Sequence, residues 1–159
     1  MTKEKLTLFS ILTVLLFSAY IIFQHQYKSL NHAKHVDKIE EYRKNNKIGY
    51  EFYYRNDCTD CNTIKTSDLI KELHTKRVLA INTKELDKLN ENEAQKWFKE
   101  NHITHTPTLI VTYNGKPIYI YSGNDKEKII DLLNSKDLKY DNKSIIYQND
   151  FTKTKTNLK

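Results

Sequence analysis

Cysteine is nearly absent from this 159-residue chain: there are two, Cys58 and Cys61, with only Thr59 and Asp60 between them. A disulfide framework for a small secreted domain needs several cysteines at wide spacing, so that class is excluded and no thiol is left for a structural bridge. A zinc ribbon needs a second cysteine pair, which is missing. Arginine is scarce as well, with only Arg43, Arg55 and Arg77 among 26 basic residues, so the net charge of +6 is scattered lysine. Lysines spread in this way describe a solvated surface. Without arginine clusters or arginine–aromatic interleaving, a nucleic-acid partner is not expected. A basic exterior does suit anionic lipid or cell-wall polymer. Three glycines and two prolines in a chain rich in Lys, Asn, Ile and Tyr match the usage of an AT-rich bacterial genome. The length suits one modest domain with an appendage, and there is no internal repeat.

Charge is missing altogether from Leu6 to Phe23, whose only hydroxyl residues before Tyr20 are Thr7, Ser10, Thr13 and Ser18. As a helix this run is about 27 Å long, at the short end for a bilayer span. A cleavable signal peptide has an apolar core of roughly 7–15 residues followed by small residues at the cleavage site. Here the apolar run continues through Tyr20-Ile21-Ile22-Phe23 into Gln24-His25-Gln26, and no cysteine follows for lipid attachment. The expectation is an uncleaved membrane anchor over 6–25, a short cytoplasmic tail at 1–5 and a polar linker over 26–35. Lys3 and Lys5 on one side are balanced by Lys28, Lys34 and Lys38 on the other. The very short leading tail and the redox chemistry below favour a C-terminal domain outside the membrane.

From Val36 the pattern is that of one folded domain, expected over 36–134. Val36, Ile39 and Tyr42 give a helical face that ends at Asn45-Asn46-Lys47. Ile48-Gly49-Tyr50-Glu51-Phe52-Tyr53-Tyr54 reads as a buried aromatic strand. Ile64, Leu69, Ile70 and Leu73 give a second helix, Val78–Ile81 a second strand, and Asn92–Asn101 a third helix around Ala94, Trp97 and Phe98. Thr108–Tyr113 and Ile118–Tyr121 flank Asn114-Gly115, a type I′ hairpin signal. Gly123-Asn124-Asp125 breaks the chain and caps a final helix with Ile129, Ile130, Leu132 and Leu133. The order α-β-α-β-α-β-β-α predicts an α/β fold with a four-stranded mixed sheet flanked by helices. Residues 135–159 read as a polar tail, in which Ser144–Tyr147 has the composition for one short added element.

The chemistry concentrates where the first strand runs into a helix. Unpaired N–H groups at a helix N-terminus favour thiolate over thiol, and thiolate is the attacking species in disulfide exchange. Two intervening residues bring the second sulfur within reach of the first in one helical turn. Cys58 at the turn is therefore expected as the exposed nucleophile and Cys61 as the thiol that releases a mixed disulfide. Thr106-Pro107 stands just ahead of the Thr108 strand, a position at which proline need not donate to the ladder.

Taken together, the Cys58-Thr59-Asp60-Cys61 motif after an aromatic strand, Thr106-Pro107, the Asn114-Gly115 hairpin and Gly123 before the last helix resemble the thioredoxin family from Val36 to Leu133. The resemblance implies a thioredoxin fold and thiol–disulfide oxidoreductase activity. It also implies a cis Thr106–Pro107 bond facing the cysteines, with both residues binding an extended substrate. A membrane helix ahead of such a domain is similar to extracytoplasmic thiol–disulfide proteins of Gram-positive bacteria. The length and the Cys-Thr-Asp-Cys region also look like thioredoxin-like accessory proteins of bacteriocin disulfide formation. The implied partners are exported cysteine-containing proteins or peptides and a separate redox protein. No cofactor is expected: nothing in the chain reads as a flavin or quinone site, so electrons must pass to another protein.

Three positions depart from the family pattern. Phe52 stands six residues before Cys58, where many thioredoxins carry a buried acid that shuttles a proton to the resolving thiol. Glu51 is one residue away, and strand alternation turns it to the other face. Asp57 replaces the usual tryptophan, and with Asp60 it brackets the nucleophile with charges that oppose a thiolate. These departures speak against a general cytoplasmic thioredoxin. His102 and His105 form an H-x-x-H ahead of Pro107, so an alternative is an extracytoplasmic copper- or metal-binding chaperone using Cys58, Cys61 and His105. A second alternative is a peptide clamp in which the cysteines have no redox role.

Overall fold

The computed structural model describes residues 13–18, 20–21, 31–33, 36–86, 89, 91–135 and 145–151. The chain divides into two units, Met1–Leu30 and Asn31–Lys159. In the first unit residues 13–18 and 20–21 are helical, and Val14, Leu15, Leu16, Phe17, Tyr20 and Ile21 are exposed. Most of the anchor expected over 6–25 lies outside the described residues, and among those described no helix is long and apolar enough to cross a membrane.

The second unit runs β1 (Asn31–Ala33), α1 (Val36–Asn45), β2 (Ile48–Tyr54), α2 (Thr59–Ile64), α3 (Ser67–Thr75), β3 (Leu79–Asn82), a 3-10 turn (Thr83–Glu85), α4 (Glu91–Glu100), β4 (Thr108–Tyr113), β5 (Lys116–Ser122), α5 (Lys126–Asn134) and β6 (Ile146–Asn149). The strands form one mixed sheet in the order β1-β3-β2-β4-β5-β6. β1, β3 and β2 are mutually parallel, β2–β4 and β4–β5 are antiparallel, and β6 lies parallel to β5. The expected four strands are the inner β3-β2-β4-β5, but the described residues form a sheet of six. The added strands sit at the two edges, β1 in the stretch read as linker and β6 in the stretch read as tail. Asn31-His32-Ala33 and Ile146-Tyr147-Gln148-Asn149 are short and largely polar. An edge strand is held by backbone hydrogen bonds on one side, so it needs no long apolar alternation.

β2 is the central strand and is buried on both faces from Glu51 to Tyr54. Tyr53 packs in one layer with Ile39 of α1, Leu79 and Ile81 of β3, Leu86, Ile103, Ile110 and Ile120, against which Trp97 and Phe98 of α4 rest. Phe52 and Tyr54 face the other way and stack at 6.2 Å. The Lys65 ammonium lies 4.1 Å over Tyr54 and that of Lys128 lies 4.9 Å over Tyr121, which puts the end of α2 and the start of α5 on this second face. One helix was expected after the cysteines, but α2 stops at Ile64 and α3 restarts at Ser67. Thr66 caps the second segment by accepting from the Leu69 N–H. The hairpin is as read: Asn114 (φ 47°) and Gly115 (φ 77°) both take the positive φ of a type I′ turn. Asp125 caps α5 through the Lys128 N–H.

On the first face an ion pair is enclosed with the apolar core. Glu51 is fully buried, accepts from Arg43 Nε at 2.7 Å and Nη2 at 2.8 Å, and accepts from the Tyr53 hydroxyl at 2.7 Å. The buried carboxylate is thereby satisfied by the half-buried guanidinium and the buried phenol. Removing one member of such a pair costs far more than removing both, because the remaining charge is buried alone. Arg43→Met should therefore lower stability by about 3–5 kcal/mol in urea unfolding, and adding Glu51→Gln should recover most of that loss. Equal stability for the two variants would contradict this account.

Candidate active site

Three segments meet at the C-terminal end of β2. The chain leaves β2 at Arg55, turns through Asn56-Asp57, and enters α2 with Cys58 as its N-cap (φ −89°, ψ 119°). The Cys58 carbonyl accepts the first helical bond from the Asn62 N–H at 3.1 Å. The Cys58 sulfur takes the cap role of an oxygen: the Cys61 N–H donates to Sγ at 3.1 Å. On its other side the Cys58 S–H donates to the Thr106 carbonyl at 3.4 Å. The Thr106–Pro107 peptide bond is cis, and the Pro107 carbonyl accepts from the Gly123 N–H at 3.2 Å. Gly123 has no room for a Cβ, which would run into the buried Tyr121 hydroxyl. All four site residues expected from sequence, Cys58, Cys61, Thr106 and Pro107, are thus brought together.

The two thiols differ in surroundings. Cys58 is half-buried and Cys61 wholly buried, and both are free. Burial, with the hydrogen bond to Cys58 as a second cause, pushes the Cys61 thiol from 9.0 up to about 11. The neutral thiol is favoured in the fold, so this group supports stability below pH about 9 and loses that contribution as pH rises through about 11. β2 itself presents no acid on the side of Phe52 and Tyr54. Phe52 occupies that face, and Glu51 is committed to Arg43 and Tyr53 on the opposite one, as alternation requires.

The carboxylates beside Cys58 are not bare charges. Asp57 accepts from Arg55 Nε and Nη2, each at 3.0 Å, and pairs with the Lys84 ammonium of the 3-10 turn. The Arg55 hydrogen bonds and then Lys84 hold its carboxyl well below the usual carboxylate range. Asp60 accepts from Asn124 Nδ2 at 2.9 Å, tying α2 to the loop before α5. The Asp57 charge beside Cys58 is therefore paired locally with two cations.

The alternative metal set is not assembled. His105 Nδ1 is bonded to Thr104 Oγ1 at 3.0 Å, and its ring stacks on Phe151 at 5.4 Å. His102, with φ 57°, follows α4 and lines a separate cleft with Phe98, Ile103 and Tyr147. Among the described residues no group of three or more His, Cys, Asp or Glu side chains is placed to hold a metal ion. Sequence reasoning missed Lys84, whose partner is distant in sequence, and Phe151, which lies in the stretch read as tail.

No protein-family model matches the chain, and no curated protein matches it by sequence. Solved structures do match. Mitochondrial thioredoxin 3 from Saccharomyces cerevisiae in its oxidized form is 17% identical, with 69% of this chain and 97% of that one covered, at a TM-score of 0.54. Chlamydomonas reinhardtii thioredoxin f2 is 20% identical over 67% of this chain and 94% of its own, at 0.52. A Plasmodium falciparum thioredoxin is 15% identical over 65% and 96%, at 0.51. Nearly the whole of each thioredoxin is matched by about two thirds of this chain. With Cys58 capping a helix beside a cis-proline segment, the chain has a thioredoxin-like α/β fold.

Proposed function

We propose that this protein is a thiol–disulfide oxidoreductase that works through Cys58 and Cys61. The observation that carries the reading is the Cys58 sulfur held between the Cys61 N–H and the Thr106 carbonyl. In the reductive direction the Cys58 thiolate attacks one sulfur of a substrate disulfide, and the other leaves as a thiolate. Cys61 then gives up its proton and attacks the Cys58 sulfur. The second substrate thiol departs, and the Cys58–Cys61 disulfide forms. Oxidation is the same sequence reversed, and the potential of the pair against its partner sets the direction. Thr106 and Pro107 would receive the substrate as an extended segment beside Cys58.

We further place this chemistry outside the cell membrane, on exported cysteine-containing proteins or peptides, with a separate protein renewing the pair. The charge-free run Leu6–Phe23 ahead of the domain supports a membrane anchor. The narrower reading, an accessory to disulfide formation in exported bacteriocins, is supported by the resemblance of the Cys-Thr-Asp-Cys region and the chain length.

Three outcomes are expected. Cys58→Ser abolishes both insulin reduction and oxidative refolding by the purified full-length protein, whereas Cys61→Ser accumulates substrate as a mixed disulfide visible on non-reducing gels. Cys58→Ser activity equal to wild type would end the redox reading. Because Cys61 is protonated at neutral pH, release of a thiol from a preformed Cys58 mixed disulfide should quicken about tenfold per pH unit from pH 7 upward. The expected bend lies above the ordinary 9.0 of a thiol, since burial acts on Cys61 in the mixed disulfide as well, and stopped-flow kinetics showing a plateau well below 9 would contradict the burial of Cys61 as its cause. In intact cells, a membrane-impermeant maleimide should label the reduced wild-type protein and not Cys58→Ser. Labelling only after lysis would overturn the extracytoplasmic placement.

A further inference from the structure

The stretch that follows α5 returns to the sheet and then to the active site. β6 is fixed on β5 by its parallel pairing from Tyr119↔Ile146 to Ser122↔Asn149. The Tyr119 hydroxyl donates to Gln148 Oε1 at 3.0 Å, and the Asp150 N–H donates to the Ser122 carbonyl at 2.9 Å. Asp150 also accepts from Lys128 Nζ of α5 at 3.2 Å. From this anchored strand two aromatic side chains reach the residues just ahead of Thr106. The Tyr147 hydroxyl shares a hydrogen bond with Thr104 Oγ1 at 3.2 Å, and Phe151 stacks on His105 at 5.4 Å with 30° between the rings. Thr104 and His105 are themselves joined at 3.0 Å.

The loop is held differently on its other side, where Thr108 Oγ1 donates to the His105 carbonyl at 2.7 Å and the Gly123 N–H to the Pro107 carbonyl. Those bonds come from β4 and the end of β5. The side chains of Thr104 and His105, both exposed, make contacts to Tyr147 of β6, to Phe151 just after it and to each other. Thr106, whose carbonyl accepts from Cys58, is the next residue in the chain.

We infer that Ile146–Phe151 is a strap that positions the substrate-receiving loop, with Tyr147 and Phe151 as its positioning residues for extended peptide disulfides. The inference rests on the proposed exchange reaction. An extended peptide must align its backbone beside Thr106 before its disulfide meets Cys58. A small aryl disulfide needs only access to the sulfur. Loosening the strap therefore separates the two substrates, because loss of orientation penalises the one that depends on it.

The test uses the full-length protein in detergent, turning over insulin with dithiothreitol as reductant and, after pre-reduction and removal of dithiothreitol, reacting in a single turnover with dithiobis-nitrobenzoate. Phe151→Ala, and Tyr147→Phe combined with Phe151→Ala, should lower kcat/KM for insulin about tenfold, mainly through KM, and leave the aryl disulfide rate within about twofold. Phe151→Tyr keeps a ring over His105 and should restore the insulin value. Thermal unfolding of the variants controls for a general loss of structure. Equal falls on both substrates, no fall on either, or a failure of Phe151→Tyr to rescue would overturn the strap. Wild-type protein inert towards both disulfides would overturn the exchange reaction as well, whereas wild-type turnover with unchanged variants overturns the strap alone.

Discussion

The constraint on which the site depends is that β2 is buried on both faces. A strand alternates its side chains strictly, so in a strand with no solvent face every residue is assigned to one of two interiors. Glu51 and Tyr53 fall in the layer closed by α1 and α4, where Arg43 meets the carboxylate. Phe52 and Tyr54 fall in the layer reached by the end of α2, which is the side of the buried Cys61. A carboxylate one residue out of phase is thereby removed from the redox centre by the whole thickness of the sheet. The resolving thiol is left beside an aromatic stretch of β2, and its burial, with the hydrogen bond to Cys58, raises its pKa. The same strand ends by delivering the chain to Cys58, so one period-two pattern governs both where the cysteines stand and what they lack.

Around the nucleophile, charge matters less than directed hydrogen bonds. Asp57 and Asp60 look from their spacing like two negative charges flanking a thiolate. In the fold Asp57 is bound by Arg55 and Lys84, and Asp60 is bonded to Asn124. What remains aimed at the Cys58 sulfur is one N–H from within its own helical turn and one carbonyl from the Thr106–Pro107 segment. The sulfur is thus held between one donor and one acceptor, which fixes its position at the mouth of the site.

The features legible in the sequence were those set by local rules. The hairpin at Asn114-Gly115, the Asp125 cap, the aromatic strand and the joining of Cys58 to a helix each follow from a few neighbouring residues. The opposite orientation of Glu51 and Phe52 followed from alternation alone. What was not legible depends on contacts between distant segments. Lys84 meets Asp57 only because β3 runs parallel to β2, and Phe151 meets His105 only because the chain after α5 comes back along β5. The break between α2 and α3 was hidden because Ile64, Leu69, Ile70 and Leu73 remain apolar through it. Of the edge strands, β1 was missed and β6 was foreshadowed only by the composition of Ser144–Tyr147, since neither needs apolar residues on alternating positions to be held.

The edges are also where this sheet exceeds the four strands expected of it, and the excess is unequal in consequence. β6 leaves Ile146 and Tyr147 half-exposed, so it contributes little to the apolar core and is a weak stabilising element on burial alone. The polar and aromatic contacts of Tyr147, and of Asp150 and Phe151 just after the strand, run instead to Thr104, His105, Ser122 and Lys128. A strand that buries little yet bonds to the loop beside the nucleophile makes more physical sense as a brace for that loop than as part of the core. The core determines that a cysteine pair faces a cis-proline; the added edge bears on how firmly the cis-proline side is held when a second chain must align against it.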